Sequence, residues 1–96
     1  MTNNELKVSV VIFTKNESAN ILECIMTLHN FSQIIVIDSQ SHDGTKEIAI
    51  KLGVEAIDFD WNGKYPKKRQ WSLENIDYKN DWILFVDADE RITEGF

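Results

Sequence analysis

One cysteine, one proline and four glycines among 96 residues are scarcities that each close off a class of protein. The single cysteine, Cys24, makes an internal disulfide impossible and leaves no cysteine metal site, which suits a reducing compartment, so the expected location is cytoplasmic. So little proline and glycine, with no repeat or low-complexity stretch, excludes collagen-like and disordered chains. No apolar run approaches the ~20 residues that span a bilayer, and no basic segment leads into one at the N-terminus. Any membrane association is therefore expected to be peripheral. Positive charge is short as well: ten Lys and Arg face sixteen Asp and Glu, a net charge of −6. That balance repels a phosphate backbone, and general nucleic-acid binding is not expected.

What is present suits an ordinary globular domain, with 43% apolar and 27% charged residues. The length permits one domain, residues 1–96, and a domain of this size buries roughly two thirds of the surface its unfolded chain exposes. Little is left over for a lid or a second substrate site.

The apolar runs alternate with helical spacings. Val8 to Phe13 (VSVVIF) is short and β-branched, the pattern of a strand covered on both faces and placed centrally. Asn16 is a candidate cap for a helix over Glu17 to His29, with Glu17 in its first turn and Ile21, Leu22, Ile25, Met26 and Leu28 as its apolar contacts. Gln33 to Asp38 is a second strand, followed by the polar turn Ser-Gln-Ser-His-Asp-Gly-Thr. Asp43 then caps a helix from Thr45 to Leu52, packed through Ile48, Ala49 and Leu52 and ended by Gly53 in a left-handed conformation. Val54 to Phe59 is a third strand. A basic stretch at Lys64, Lys67, Lys68 and Arg69 opens a helix to about Ile76, with Trp71, Leu73 and Ile76 as contacts, and Trp82 to Val86 is the fourth strand. The alternation predicts an α/β fold: a Rossmann-like parallel sheet with flanking helices. Ligands in such sheets bind beyond the carboxyl ends of the strands, where strand order reverses. Polar residues gather at those ends: Thr14, Lys15, Asn16, Glu17, Asp38, Asp87 and Asp89.

Asp87-Ala88-Asp89 is the sharpest feature. In extended chain both carboxylates face one side and Ala88 the other. Two such charges ~4 Å apart repel by about 4 kcal/mol at an effective dielectric near 20. A hard divalent cation offsets this, with ligand phosphates completing its shell. An isolated Asp-x-Asp is more often a solvated strand end; its position after an apolar strand of a nucleotide-type sheet favours the metal. Asp38 suits a ribose or base hydrogen bond, against a plain turn-forming role. The segment after the first strand lacks G-x-G-x-x-G and G-x-x-x-x-G-K-[ST], so dinucleotide and P-loop readings are weak. Lys67, Lys68 and Arg69 suit a diphosphate at a helix start, against a solvated face. Trp61, Tyr65 and Trp71 are stacking candidates that more commonly serve as core. His29 and His42 have no ligand spacing, and Cys24 reads as core.

Together, KVSVVIFTKNESANI, IIVIDSQSHDGT, FDWNGKYPKKRQWSLE and DWILFVDADERIT resemble the N-terminal half of family 2 glycosyltransferases, of GT-A fold. Within that family the chain looks most like bacterial enzymes of lipopolysaccharide-core and cell-surface glycan assembly. The resemblance implies a nucleotide-sugar donor, UDP-sugar favoured, and a glycan or lipid-linked acceptor, with the full-length protein at the cytoplasmic face of the inner membrane. It implies donor contacts at Thr14, Asn16, Glu17, Asp38, Lys68, Arg69 and Asp87, and Mn²⁺ or Mg²⁺ on Asp87 and Asp89. The family's general base lies downstream of this motif, so it is expected beyond Phe96. Two alternatives stand beside this reading, a sugar nucleotidyltransferase-like domain and an inactive nucleotide-binding scaffold. A chain that holds only the donor half is expected to be inactive alone and to self-associate through the edge of its fourth strand.

Overall fold

In the computed structural model, residues 6–59 and 68–88 are described. They form a four-stranded parallel sheet in the order β3-β2-β1-β4, built from β1 (Leu6–Thr14), β2 (Phe31–Asp38), β3 (Glu55–Asp58) and β4 (Trp82–Asp87). Helices α1 (Ile21–Met26), α2 (Thr45–Lys51) and α3 (Lys68–Asn75) connect them. The predicted architecture and the central place of β1 both hold. Among the described residues no helix is long and apolar enough to cross a membrane.

Alternation along the strands sorts the core into two layers. Val10 and Ile12 of β1, Val36 of β2 and Val86 of β4 meet Ile21, Cys24, Ile25 and Leu28 around α1 and Ala49 of α2. On the opposite face Val11, Ile35 and Ile37 meet Phe59, with Trp71 and Ile76 packed against them from α3 and its end. Phe13 and Phe85 stack at 5.6 Å between ring centroids across β1 and β4, and Phe59 tilts against Trp71 at 5.0 Å. Trp71 is thus a core residue, the commoner of its two readings.

Several expectations about helices are corrected. The predicted helix over Glu17 to His29 is cut to α1, flanked by turns. Asn16 does not cap it. Its backbone is left-handed, φ 54°, and its side-chain oxygen accepts from the His42 N–H at 2.8 Å. Asn20 takes the capping position without a side-chain cap bond, and Glu17 precedes the first turn, which holds Glu23 instead. At the other end the Thr27 hydroxyl donates to the Cys24 carbonyl at 2.8 Å and closes the last turn. Leu22 and Met26, expected inside, are exposed, as is Leu52 after α2. Gly53 is left-handed at φ 80° and ends α2 as predicted. Leu73 points outward on α3, where Ser72 is buried instead.

The amino end of the sheet is tied by polar side chains. The Ser9 hydroxyl donates to Gln33 Oε1 at 2.6 Å, and the same oxygen accepts from the Lys79 N–H at 2.8 Å. Asn80 Nδ2 donates to the hydroxyls of Ser32 at 2.5 Å and Ser9 at 3.2 Å. These bonds fix where the chain enters β4, and so where β4 ends at the opposite edge.

Candidate functional site

Register brings the polar strand ends level. Thr14 pairs with Asp38, Asp38 with Asp58, and Phe13 with Asp87. From β1 the chain steps outward through β2 to β3 and then returns to place β4 on the other side of β1. Strand order therefore reverses at β1, and the crevice between the carboxyl ends of β1 and β4 is the binding position that this topology favours.

Asp38 is the buried centre of this edge, 2% exposed. Its Oδ1 accepts the Thr14 hydroxyl at 2.5 Å and the Ser41 hydroxyl at 2.6 Å, while Oδ2 accepts the Ser41 N–H at 2.9 Å. A carboxylate offers about four lone-pair sites. Among the described residues three are used, which leaves acceptor capacity on Oδ2.

The segment after β1 is fastened to the loop after β2 and the start of α2 by a ladder of side chains. The Asn16 N–H donates to Ser41 Oγ at 2.7 Å, the Glu17 N–H to Thr45 Oγ1 at 2.9 Å, and the Ser18 N–H to Asp43 Oδ2 at 3.0 Å. Lys15 Nζ reaches the Gln40 carbonyl at 3.2 Å, and Asn20 Nδ2 donates to the Glu17 carboxylate at 3.1 Å. Asp43 Oδ1 in turn accepts the Thr45 N–H at 3.1 Å and the Thr45 hydroxyl. Asp43 was expected to cap α2. It does bond the first helical N–H, but from one residue further out, because left-handed Gly44 (φ 87°) takes the capping position. Ser41 and Thr45 were not singled out from sequence. The signal was there in retrospect: short hydroxyl and carboxylate side chains in a turn seek backbone N–H groups.

These hydrogen bonds, the Thr45 hydroxyl first and then the Ser18 N–H, hold the Asp43 carboxyl well below the usual carboxylate range. A depressed carboxylate contributes stability that is complete above its ordinary value of 3.8 and is lost only as pH falls through the lower folded value. Asp43 is therefore expected to remain ionised at pH 3.8, and a carboxyl ¹³C titration with its midpoint there would contradict the bonding described.

Asp87 closes β4 and is exposed, while Ala88 is buried with Val86 and Ile12. The small residue thus turns inward and Asp87 outward. Asp89 lies outside the described residues, as do Trp61, Lys64, Tyr65 and Lys67. Lys68 and Arg69 open α3, which places their backbone at the carboxyl edge from which a crossover helix departs; their side chains are outside the described residues. Among the described residues no group of three or more His, Cys, Asp or Glu is arranged to hold a metal ion. His29 Nδ1 lies 3.0 Å from the Met26 carbonyl, and His42 is exposed. The structure therefore joins Thr14, Asp38 and Asn16 through Ser41 and ties the adjacent Glu17 to Thr45, with Asp87 across β1.

The sequence is similar to several named proteins. An uncharacterized glycosyltransferase of Rickettsia bellii (strain RML369-C) is 40% identical over 89 residues, covering 92% of this chain and 29% of that protein. The uncharacterized glycosyltransferase RP128 of Rickettsia prowazekii (strain Madrid E) is 39% identical over 92% of this chain and 30% of its own length. The lipopolysaccharide core biosynthesis glycosyltransferase LpsC of Rhizobium meliloti (strain 1021) is 32% identical over 95% of this chain and 34% of its own length. The chain thus spans about a third of the length of these relatives. The model of "Glycosyl transferase family 2" matches residues 9–96, from the middle of β1 through Asp87-Ala88-Asp89 and beyond, and the chain belongs to that family.

Proposed function

We propose that residues 1–96 form the donor-binding part of a glycosyltransferase that moves a sugar from a nucleotide-diphosphate donor, UDP-sugar favoured, to a glycan or lipid-linked acceptor of the cell envelope. The observation that carries this reading is the level alignment of Thr14, Asp38 and Asp87 at the carboxyl edge where strand order reverses. Family membership favours a nucleotide-sugar donor, and the envelope assignment leans on the name of the Rhizobium relative.

In this reading Asp38 uses its remaining acceptor capacity for a ribose hydroxyl or a base N–H. Its orientation is fixed beforehand by Thr14 and Ser41, so little ordering cost falls on binding. Lys68 and Arg69, at the start of α3, supply positive charge for the diphosphate. Asp87, exposed at the strand end, fits a hard cation by its donor chemistry, and with Asp89 would hold Mn²⁺ or Mg²⁺. When bound, such a cation offsets the negative charge that develops on the departing nucleoside diphosphate. Attack by an acceptor hydroxyl needs a general base within hydrogen-bond reach. None of the described residues is assigned that role.

The test is a titration followed by amide NMR. UDP-glucose with Mg²⁺ is expected to shift the amides of Thr14, Asp38 and Asp87, and chelation with EDTA to weaken binding at least tenfold. No response at millimolar ligand, or equal affinity in EDTA, would sink the metal-assisted donor reading. Tighter binding of UTP than of UDP-glucose would favour nucleotidyl transfer instead.

A further inference from the structure

Three consecutive amides after β1, those of Asn16, Glu17 and Ser18, are each taken by a side chain from the loop after β2 or from the first residue of α2. Successive backbone N–H groups at the carboxyl end of a first strand are the usual means by which nucleotide-binding sheets hold phosphate. Here they are occupied from within the protein, by Ser41, Thr45 and Asp43. Moreover, Asp43 is itself an anion and its carboxyl is held ionised, so a phosphate approaching this turn meets both filled donors and like charge.

The first of these bonds runs on into the nucleotide-facing side, and the other two hold the adjoining residues of the same turn. Ser41 Oγ accepts from the Asn16 N–H and donates to Asp38 Oδ1, which also accepts from Thr14. Thr45 Oγ1 likewise accepts from the Glu17 N–H and donates to Asp43. A shift of the loop after β2 therefore moves the segment after β1 with it, and Asp38 at their junction.

We infer that Asp43 and Thr45 are positioning residues of the donor site. Together they close the turn after β1 to phosphate and fix Asp38 and Thr14, so that a nucleotide enters with its base or ribose at Asp38 and its diphosphate toward β4. The inference rests on the donor-binding reading above. It adds that the turn after β1 takes no part in phosphate binding and that residues with no ligand contact set the affinity.

Hydrogen exchange and UDP affinity, measured on the full chain with Mg²⁺, test this. In the wild type the amides of Asn16, Glu17 and Ser18 are expected to be protected, and saturating UDP should leave that protection unchanged. D43A and T45V should speed exchange at Glu17 and Ser18 at least tenfold, leave Val11 and Ile12 protected, and weaken UDP binding at least tenfold. T45S retains the hydroxyl and should restore both properties.

Added protection at Glu17 and Ser18 on UDP binding would mean that phosphate reaches them, and would overturn the inference. So would unaltered UDP affinity in variants whose clamp has opened, or no recovery in T45S. Loss of protection at Val11 and Ile12 in both variants would reduce the clamp to a fold-stabilising role and overturn it equally. A wild type that fails to bind UDP defeats the donor-binding reading itself, whereas a binding wild type with equally binding variants defeats the inference alone.

Discussion

Asp38→Ala is expected to cost about 2–4 kcal/mol of folding stability and to abolish measurable nucleotide binding at the same time. The stability loss follows from what is left behind. Thr14 Oγ1, itself buried, loses its acceptor, and the Ser41 hydroxyl and N–H lose theirs. Unpaired buried groups cost about 1–3 kcal/mol each, and Ser41, being only half-buried, recovers part of this from water. Asp38→Asn separates the two roles. Its amide can turn so that oxygen meets the Ser41 N–H while the NH₂ faces two hydroxyls that are free to rotate and accept. The fold then loses about 1 kcal/mol, yet the free acceptor left at that oxygen is a neutral amide's and not a carboxylate's, a weaker partner, and nucleotide binding still falls. Urea unfolding and UDP titration on both variants check this. Loss of stability equal to that of Asp38→Ala in the Asn variant would show that charge, not hydrogen bonding, holds the loop.

Ile12→Ala should be the most damaging apolar truncation, at about 3–4 kcal/mol. Ile12 is fully buried in the middle of the central strand, between Val36 on β2 and Val86 on β4. Both neighbours are held in register by backbone hydrogen bonds and cannot collapse into the cavity, so the cost lies well inside the 2–5 kcal/mol range for such truncations. A chain of this length has roughly 5–14 kcal/mol in total, which makes the variant marginal. Leu73→Ala, by contrast, removes a side chain that is 54% exposed and should change stability by less than about 0.5 kcal/mol. Comparable losses in the two variants would mean that α3 packs through a different face from the one described.

The contrast between these residues also marks where sequence reading succeeds. Strands that pack on both faces carry their own signature, because few polar residues fall between their ends and those that do are hydrogen-bonded, as Ser9 is: VSVVIF, QIIVID and WILFV each extend by only one or two residues at their ends. Helices on such a sheet are buried on one face, and a short helix holds too few residues to phase that face. Leu22 and Met26 share helical spacing with Ile21 and Ile25, yet a rotation of the short α1 puts the first pair outside. Leu73 fails for the same reason, since buried Ser72 and half-buried Trp71 set the phase of α3.

At the site, Asp38 and Asp87 were legible because an acid directly after an apolar run announces a strand end. The ladder was not. Whether Asn16 caps a helix or accepts from His42 depends on a loop that is distant in sequence, and Asp43, Thr45 and Ser41 act on amides 25 to 28 positions away. Such pairings are decided by the strand register of β1 against β2, which no local pattern encodes.

The place of β1 between β2 and β4 has a consequence for how the chain is made. During synthesis Val8 waits for Trp82 before its second flank is paired. Contacts this distant close slowly, because loop entropy is paid before they reward it. During translation the β1-α1-β2-α2-β3 unit can assemble as soon as it leaves the ribosome, since its pairings are between consecutive strands. Until β4 emerges, the central strand of the sheet presents an open row of hydrogen-bonding groups to any neighbouring chain. The bonds of Asn80 to Ser9 and Ser32, which seat the incoming β4 at its first residues, shorten that exposure. A nascent chain stalled before Asn80 should therefore recruit chaperones that one stalled well after Asp87 no longer needs.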